Sequence, residues 1–191
     1  KEQQPVHNRQ LRRERNLCAW RLEPNPNARP LLVLVQGEDL VPEQFGALYG
    51  PYRSKNQAQS HLRDLADAHG LCLQAMGLES GKGRCFAHQI GRCKGVCCGE
   101  EAPERHLLRL QMALVSQRLQ TWPFAGKVGL REHHANTDRT DIHVFDQWCH
   151  LATVQSEDDL HETLCTRVGP LAFDLDTYRL AIKHLLPGGR T

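Results

Sequence analysis

Apolar and polar residues alternate over LCAWRLE, residues 17–23, and a period of two predicts a strand. NPNARP follows as a turn rich in Asn and Pro. The unbroken apolar run LLVLVQG, 31–37, then predicts a buried strand ended by Gly37, so that the two strands make a hairpin. FGALYGPY, 45–52, reads as a short extended piece bent at its glycines. Beyond it the period becomes that of a helix, from about 54 to 69, with Ala58, Leu62, Leu65 and Ala66 as its apolar stripe. Ser54 is the expected N-cap, Gln57 stands where a capping box needs it, and Gly70 supplies the stop. A second helix is expected over 103–121, opened by Pro103 and Glu104. Leu107, Leu110 and Leu114, with the neighbouring row Leu108, Val115 and Leu119, give it a broad apolar face.

After TWPFAG, 121–126, the elements shorten. KVGLRE (127–132), TDIHVFD (140–146) and QWCHLATV (147–154) read as three strands, the first turn being HHANTDRT. SEDDLHETLC, 156–165, and DLDTYRLAIKHLL, 174–186, read as helices capped by Ser156 and Asp174. The expected class is α+β: a small hairpin plus helices around a cysteine-rich loop, followed by a small α+β carboxy-terminal unit. The expected division is 1–16, a basic arm; 17–121, the cysteine-rich domain; and 122–191.

A chain of 191 residues, 40% hydrophobic and 24% charged, can bury a core as one medium or two small domains. Its formal charge of +2 excludes a polycation, so a nucleic-acid surface has to come from local clustering. Two clusters exist. The arm carries Lys1, Arg9, Arg12, Arg13 and Arg15 against Glu2 and Glu14; the cysteine-rich loop carries Lys82, Arg84, Arg92 and Lys94. No run of 18 apolar residues offers a membrane span, and the polar first fifteen residues are no signal peptide. The chain opens at Lys1 inside what reads as a helix end, and is expected to be cut from a longer cytoplasmic protein.

Eight cysteines without a secretory context argue against a disulfide framework. Cys18, Cys149 and Cys165 stand singly in apolar surroundings and read as small buried hydrophobes. The other five crowd between residues 72 and 98. Cys72, Cys85, Cys93 and Cys97 are spaced C-x12-C-x7-C-x3-C, and Cys98 trails. The close pair can put two sulfurs on one centre, with Gly91 and Gly95 letting the backbone wrap it. Four thiolates accumulate negative charge, and the only charged residues between Ser80 and Cys98 are the four loop cations. Zn2+ takes four cysteines but usually as two close pairs; an iron–sulfur cluster accepts irregular spacing; reduced thiols tucked into a loop are the third possibility.

YGPYRSKNQAQSHLRDL followed by CFAHQIGRCKGVCCG closely resembles the region after the nuclease domain in the UvrC/Cho family of GIY-YIG excision-repair endonucleases. KEQQPVHN matches the IK-x3-P-x2-N element that ends that nuclease domain, with Pro5 and Asn8 in register. WPFAG, the segment at Trp148 and FDLDTYRLAIKHLL look most like the Cho branch. They also resemble the tail of bacterial proteins that fuse a DnaQ-type proofreading exonuclease to a GIY-YIG domain. The resemblance implies a parent DNA endonuclease of bacterial nucleotide excision repair, nicking on the 3′ side of a bulky lesion with one divalent metal ion. It implies a [4Fe–4S] cluster on Cys72, Cys85, Cys93 and Cys97, with Cys98 left out, and an active-site asparagine at Asn8. The GIY and YIG strands, the catalytic arginine and the catalytic glutamate fall upstream of Lys1 in the family layout, so this chain is not expected to cut DNA by itself. No RNase-H-like Asp/Asp/His set is visible; Asp138, Asp141 and His143 read as ordinary turn and strand residues.

Three functions follow as expectations. The first is a DNA-binding, cluster-bearing region whose arm and loop cations neutralise phosphates of damaged double-stranded DNA; Trp20, Tyr49 and Tyr52 read as core, or else as stacking platforms. The second is a protein-interaction module, the carboxy-terminal unit after residue 121 docking on damage-recognition proteins or on an upstream exonuclease domain. The third is a hydrolase built on His133, His134 and His143, which lack a matching carboxylate or fourth ligand at helical spacing.

Overall fold

A computed structural model describes residues 17–23, 31–136, 139–166, 171 and 173–186. The basic arm, with Asn8, Arg9, Arg12, Arg13 and Arg15, lies outside the described residues, as does Asp138. The class is α+β, in two compact units that divide at Gln120/Thr121, with Val41–Glu43 counted in the second.

In the first unit the strands β1 (Cys18–Glu23), β2 (Leu31–Gln36) and β3 (Leu48–Tyr52) form an antiparallel sheet in the order β2-β1-β3. The β1–β2 pair runs in unbroken register from Cys18 opposite Gln36 to Glu23 opposite Leu31, the expected hairpin. The extended piece expected at 45–52 is shorter: Phe45 to Ala47 belong to a 3-10 turn, and only β3 pairs with β1. Helix α1 (Lys55–His69) covers the sheet through Ala58, Leu62 and Ala66, one face at the helical period. Its ends follow the chemistry of the sequence. Ser54 Oγ accepts from Gln57 N–H at 3.2 Å, Gln57 Oε1 accepts from Arg53 N–H at 2.8 Å, and Gly70 closes the helix at φ +62°, a conformation favoured for glycine. The Trp20 indole N–H donates to Ala58 O at 3.2 Å and ties sheet to helix. Trp20 and Tyr52 are buried and Tyr49 packs against the same core, so Trp20 and Tyr52 offer no stacking platform.

A one-turn helix α2 (Phe86–Gln89) interrupts the cysteine-rich loop, and α3 (Pro103–Leu114) follows it. α3 is shorter than the helix expected to reach 121. A 3-10 turn takes Val115–Gln117, and then Leu119 N–H donates to Leu48 O at 2.9 Å while Arg118 bridges Tyr49. Pairing with the β3 edge wins over another helical turn. α3 buries His106, Leu110, Ala113 and Leu114, whereas Leu108 and Val115 of the expected second row are exposed. A helix against one core can cover only one stripe.

The second unit holds a meander of β4 (Val128–His134), β5 (Arg139–Asp146) and β6 (Cys149–Val154), then α4 (Glu157–Cys165) and α5 (Leu175–Leu185). Ser156 accepts from Asp159 N–H at 3.1 Å, and Asp174 caps α5 through Thr177 N–H. Lys127 Nζ donates to the carbonyls of Thr163, Leu164 and Thr166 at 2.9, 3.0 and 2.7 Å and caps the other end of α4. Between β5 and β6 the chain reverses at Gln147 and Trp148, with φ +47° and +66°. That two-residue turn was invisible in the sequence, because both sites favour Gly or Asn and neither is present. Cys149 is buried as expected; Cys165, on the outward side of the last α4 turn, is exposed, which corrects its reading as a buried residue.

Asp141 lies in β5, a strand residue as expected, and is buried. Arg139 donates to both its oxygens at 2.8 and 2.9 Å, and His134 Nε2 lies 3.1 Å away. These bonds, the guanidinium foremost, outweigh burial and hold its carboxyl below the usual range. A depressed folded-state value means that the stability it contributes is present above the unfolded value of about 4 and is lost as pH falls through the folded one. The Asp141→Asn protein should therefore lose less stability than the wild type between neutral pH and pH ~3. Denaturant titrations at both pH values check this; equal losses would remove Asp141 from the acid response.

Candidate metal centre

The loop between α1 and α3 brings four sulfurs together. The Sγ atoms of Cys72, Cys85, Cys93 and Cys97 all lie within 4.8 Å of one another, and Cys72 Sγ is 3.9 Å from Cys85 Sγ. Each arrives on a different local device. Cys72 follows the Gly70 stop of α1; Cys85 is the N-cap of α2; Cys93 closes the turn after α2, its N–H donating to Ala87 O at 3.1 Å; Cys97 sits in a 3-10 turn, Val96–Cys98. Gly95 makes the last approach possible. Its φ is +89°, and a Cβ there would fall 2.7 Å from the Cβ of Glu100.

The polar surroundings suit thiolates. Gly95 N–H donates to Cys93 Sγ at 3.3 Å, His88 N–H to Cys85 Sγ at 3.3 Å, Cys85 N–H to Cys97 Sγ at 3.4 Å, and Ala75 N–H serves Cys72. Burial pushes the Cys72 thiol up strongly and the Cys93 thiol to about 11. For Cys97 burial also acts upward, but the Cys85 N–H and the neighbouring thiols outweigh it and bring the value below that of an ordinary thiol. Three buried sulfurs and the half-buried Cys97 share one space, where burial disfavours the anions of Cys72 and Cys93, and a cation is what would let the four ionise together. A tetrahedron of thiolates around a single Zn2+ has edges of about 3.8 Å, close to the Cys72–Cys85 separation. Donor type, number and shielding thus fit a metal. Cys98 stands apart: its thiol donates to Gly95 O at 3.3 Å, and it groups with His88 and Glu100.

His106 was hidden in the sequence among the apolar positions of α3. It is fully buried, and its Nε2 accepts from Cys72 N–H at 3.0 Å. Burial lowers its pKa, which suits the neutral ring this acceptor role needs. Its other nitrogen has no partner among the described residues. His106 holds the backbone of Cys72 in place. His106→Leu should leave that N–H without an acceptor and cost roughly 1–3 kcal/mol, with reduced metal content; His106→Gln, which keeps an acceptor, should lose less. Thermal unfolding with metal quantification checks the pair, and equal behaviour of the two would show that the bond is dispensable.

The loop cations Lys82, Arg84, Arg92 and Lys94 are all exposed. Arg84 pairs with Glu100 at 2.9 Å and Arg92 reaches Asp67 at 3.9 Å, while Lys82 and Lys94 have no carboxylate partner among the described residues. The histidines of the second unit behave otherwise than expected. His134 meets Asp141, and His143 Nε2 lies 3.1 Å from Glu132 across the strand pair, so carboxylate partners do exist. Among the described residues, however, they join no group of three metal donors. No helix among the described residues is long and apolar enough to cross a membrane.

The family model for the UvrC/Cho excinuclease middle domain matches residues 17–116, and that for the excinuclease Cho C-terminal domain matches residues 127–191. Excinuclease cho of Salmonella typhi is 36% identical over 190 residues, and that of Escherichia coli (strain K12) is 35% identical over the same number. Each alignment takes in 98% of this chain and 61% of the relative, so the chain spans about three-fifths of the length of these curated relatives. No solved structure matches the chain.

Proposed function

We propose, from the premise that this chain belongs to the UvrC/Cho excinuclease family, that it is the metal-bearing, DNA-binding region of a bacterial excision-repair endonuclease. The observation that carries this reading is the convergence of Cys72, Cys85, Cys93 and Cys97, with cations as the only charged side chains from Ser80 to Cys98. The cutting of lesion-bearing DNA belongs to the longer enzyme, with its divalent metal ion in the GIY-YIG domain; this region grips the substrate and orients the nuclease. Lys82, Arg84, Arg92 and Lys94, together with the arm residues Arg9, Arg12, Arg13 and Arg15, would meet phosphates of the damaged duplex. Asn8 would close the nuclease site. The enzyme would work in the bacterial cytoplasm, on the nucleoid.

The resident group on this reading is a [4Fe–4S] cluster held by the four thiolates, supported by their irregular spacing and by the backbone N–H donors that face the sulfurs. Bound there, it would cross-link a loop that has little core of its own. The second reading, Zn2+, is favoured by the 3.9 Å between Cys72 and Cys85, since a cluster sets its thiolates further apart than one ion does.

Anaerobic purification followed by a visible spectrum and iron, sulfide and zinc analysis separates these outcomes. A brown protein with iron and sulfide supports the cluster; one zinc per chain, colourless, supports the ion; neither metal refutes the centre. Binding to duplex DNA that weakens steeply with salt supports the DNA role, and no binding at low salt would end it.

A further inference from the structure

Besides Leu108, Met112 and Val115 at α3, the first unit turns two large apolar side chains outward at α2, Phe86 in the helix and Ile90 at its C-cap. Phe86 is 70% exposed and Ile90 49%, four residues apart and so on one side of the turn. The turn that carries them is held firmly. Cys85, directly before Phe86, accepts at its carbonyl from His88 and Gln89 N–H, Ile90 N–H donates to Phe86 O, and Arg92 and Cys93 N–H both donate to Ala87 O. The tip is therefore strung between two of the four converging cysteines. Arg84, paired with Glu100, stands on one side of it and Arg92, 3.9 Å from Asp67, on the other; Lys82 and Lys94 lie beyond without a carboxylate partner among the described residues, and the sequence from Ser80 to Cys98 holds four cations and no carboxylate. A protein partner's apolar groove would have to bury those cations; a nucleic acid neutralises them.

We propose that Phe86, backed by Ile90, is a base-contacting tip that stacks on unpaired or unstacked nucleobases in distorted duplex DNA. The proposal rests on the DNA-binding reading above and adds to it the part of the substrate that is touched. An aromatic face attracts any exposed base, whereas wedging it into an intact stack costs unstacking energy. The tip therefore discriminates by local distortion, not by sequence. A side chain on a rigid turn loses little freedom on contact, which favours this use of Phe86 over a flexible lysine.

The test uses the protein with its native metal content and two probes: a perfectly paired duplex, and the same duplex with a two-nucleotide bulge carrying 2-aminopurine. Phe86→Ala should bind the bulged probe about tenfold more weakly and the paired probe nearly as wild type does, with metal content and melting temperature unchanged. Phe86→Trp should retain affinity, and its indole fluorescence should be quenched by the bulge alone. Equal binding of both probes by wild type and Phe86→Ala, without indole quenching, would overturn the tip while leaving DNA binding intact. Absence of binding to either probe at low salt would remove the DNA reading and the tip with it. A Phe86→Ala protein that binds DNA normally but loses self-association would assign the patch to a second copy instead.

Discussion

Replacement of Cys72 by serine is expected to yield protein without metal and with the loop between α1 and α3 unfolded. The cluster of buried residues around the sulfurs is small: Cys72, Cys85 and Cys93, with only Ala75, Ala87, Val96 and Cys97 packed against them. That much apolar surface cannot order a segment whose regular structure is one turn of helix and one of 3-10. Closure by a four-thiolate metal centre can, since binding to such sites is worth on the order of 10 kcal/mol. Cys72 is the harshest position to change. It is fully buried and joins the centre to the main core through its neighbour Leu71. Elemental analysis with limited proteolysis is the measurement. Cleavage should concentrate in the loop, and chelation of the wild type should give the same pattern. Full metal content and an unchanged melting temperature in Cys72→Ser would mean that the sulfurs meet without a common purpose.

Trp148→Ala should unfold or nearly unfold the second unit. Trp148 is fully buried, with its ring edge-to-face against Trp122 at 5.1 Å and Tyr178 at 5.5 Å between centroids. Its loss should cost roughly 3–5 kcal/mol, a large share of the 5–15 or so that hold a typical domain together. The left-handed backbone at Trp148 is the opposing term, about 1–2 kcal/mol for a residue with a Cβ, and burial of the indole exceeds it. Trp148→Gly, which relieves the backbone but removes the ring, should therefore still melt well below wild type. Near-ultraviolet circular dichroism and thermal unfolding report both variants. A glycine variant as stable as the wild type would show that the turn, and not the ring, decides this hairpin.

The convergence of the cysteines was legible as a crowding of thiols, because a metal centre leaves its ligands in sequence as reactive residues that no core needs. His106 was not legible. A neutral buried histidine at a helical core position carries the same period as the leucines around it, and only the approach of the Cys72 N–H reveals what it does. Phe86 was missed for the opposite reason. An aromatic beside two apolar residues reads as core until a turn shows it facing water. The corrected helix end at Leu114 has a similar source, since Val115 and Leu119 continue an apolar pattern that β3 claims for pairing.

The amino-acid order alone determined the local devices: Ser54 and Gly70 bounding α1, the alternation of β1, the caps at Ser156 and Asp174, and the spacing of four thiols with cations between them. These depend on neighbours within a few residues, where side-chain chemistry and backbone geometry act directly. Tertiary structure alone decided which stripe of α3 is covered, that His106 accepts from the Cys72 N–H, and which side of the cysteine loop faces outward. Such choices are made between residues far apart in the chain, where burial and pairing set the energy and a linear pattern carries no distance.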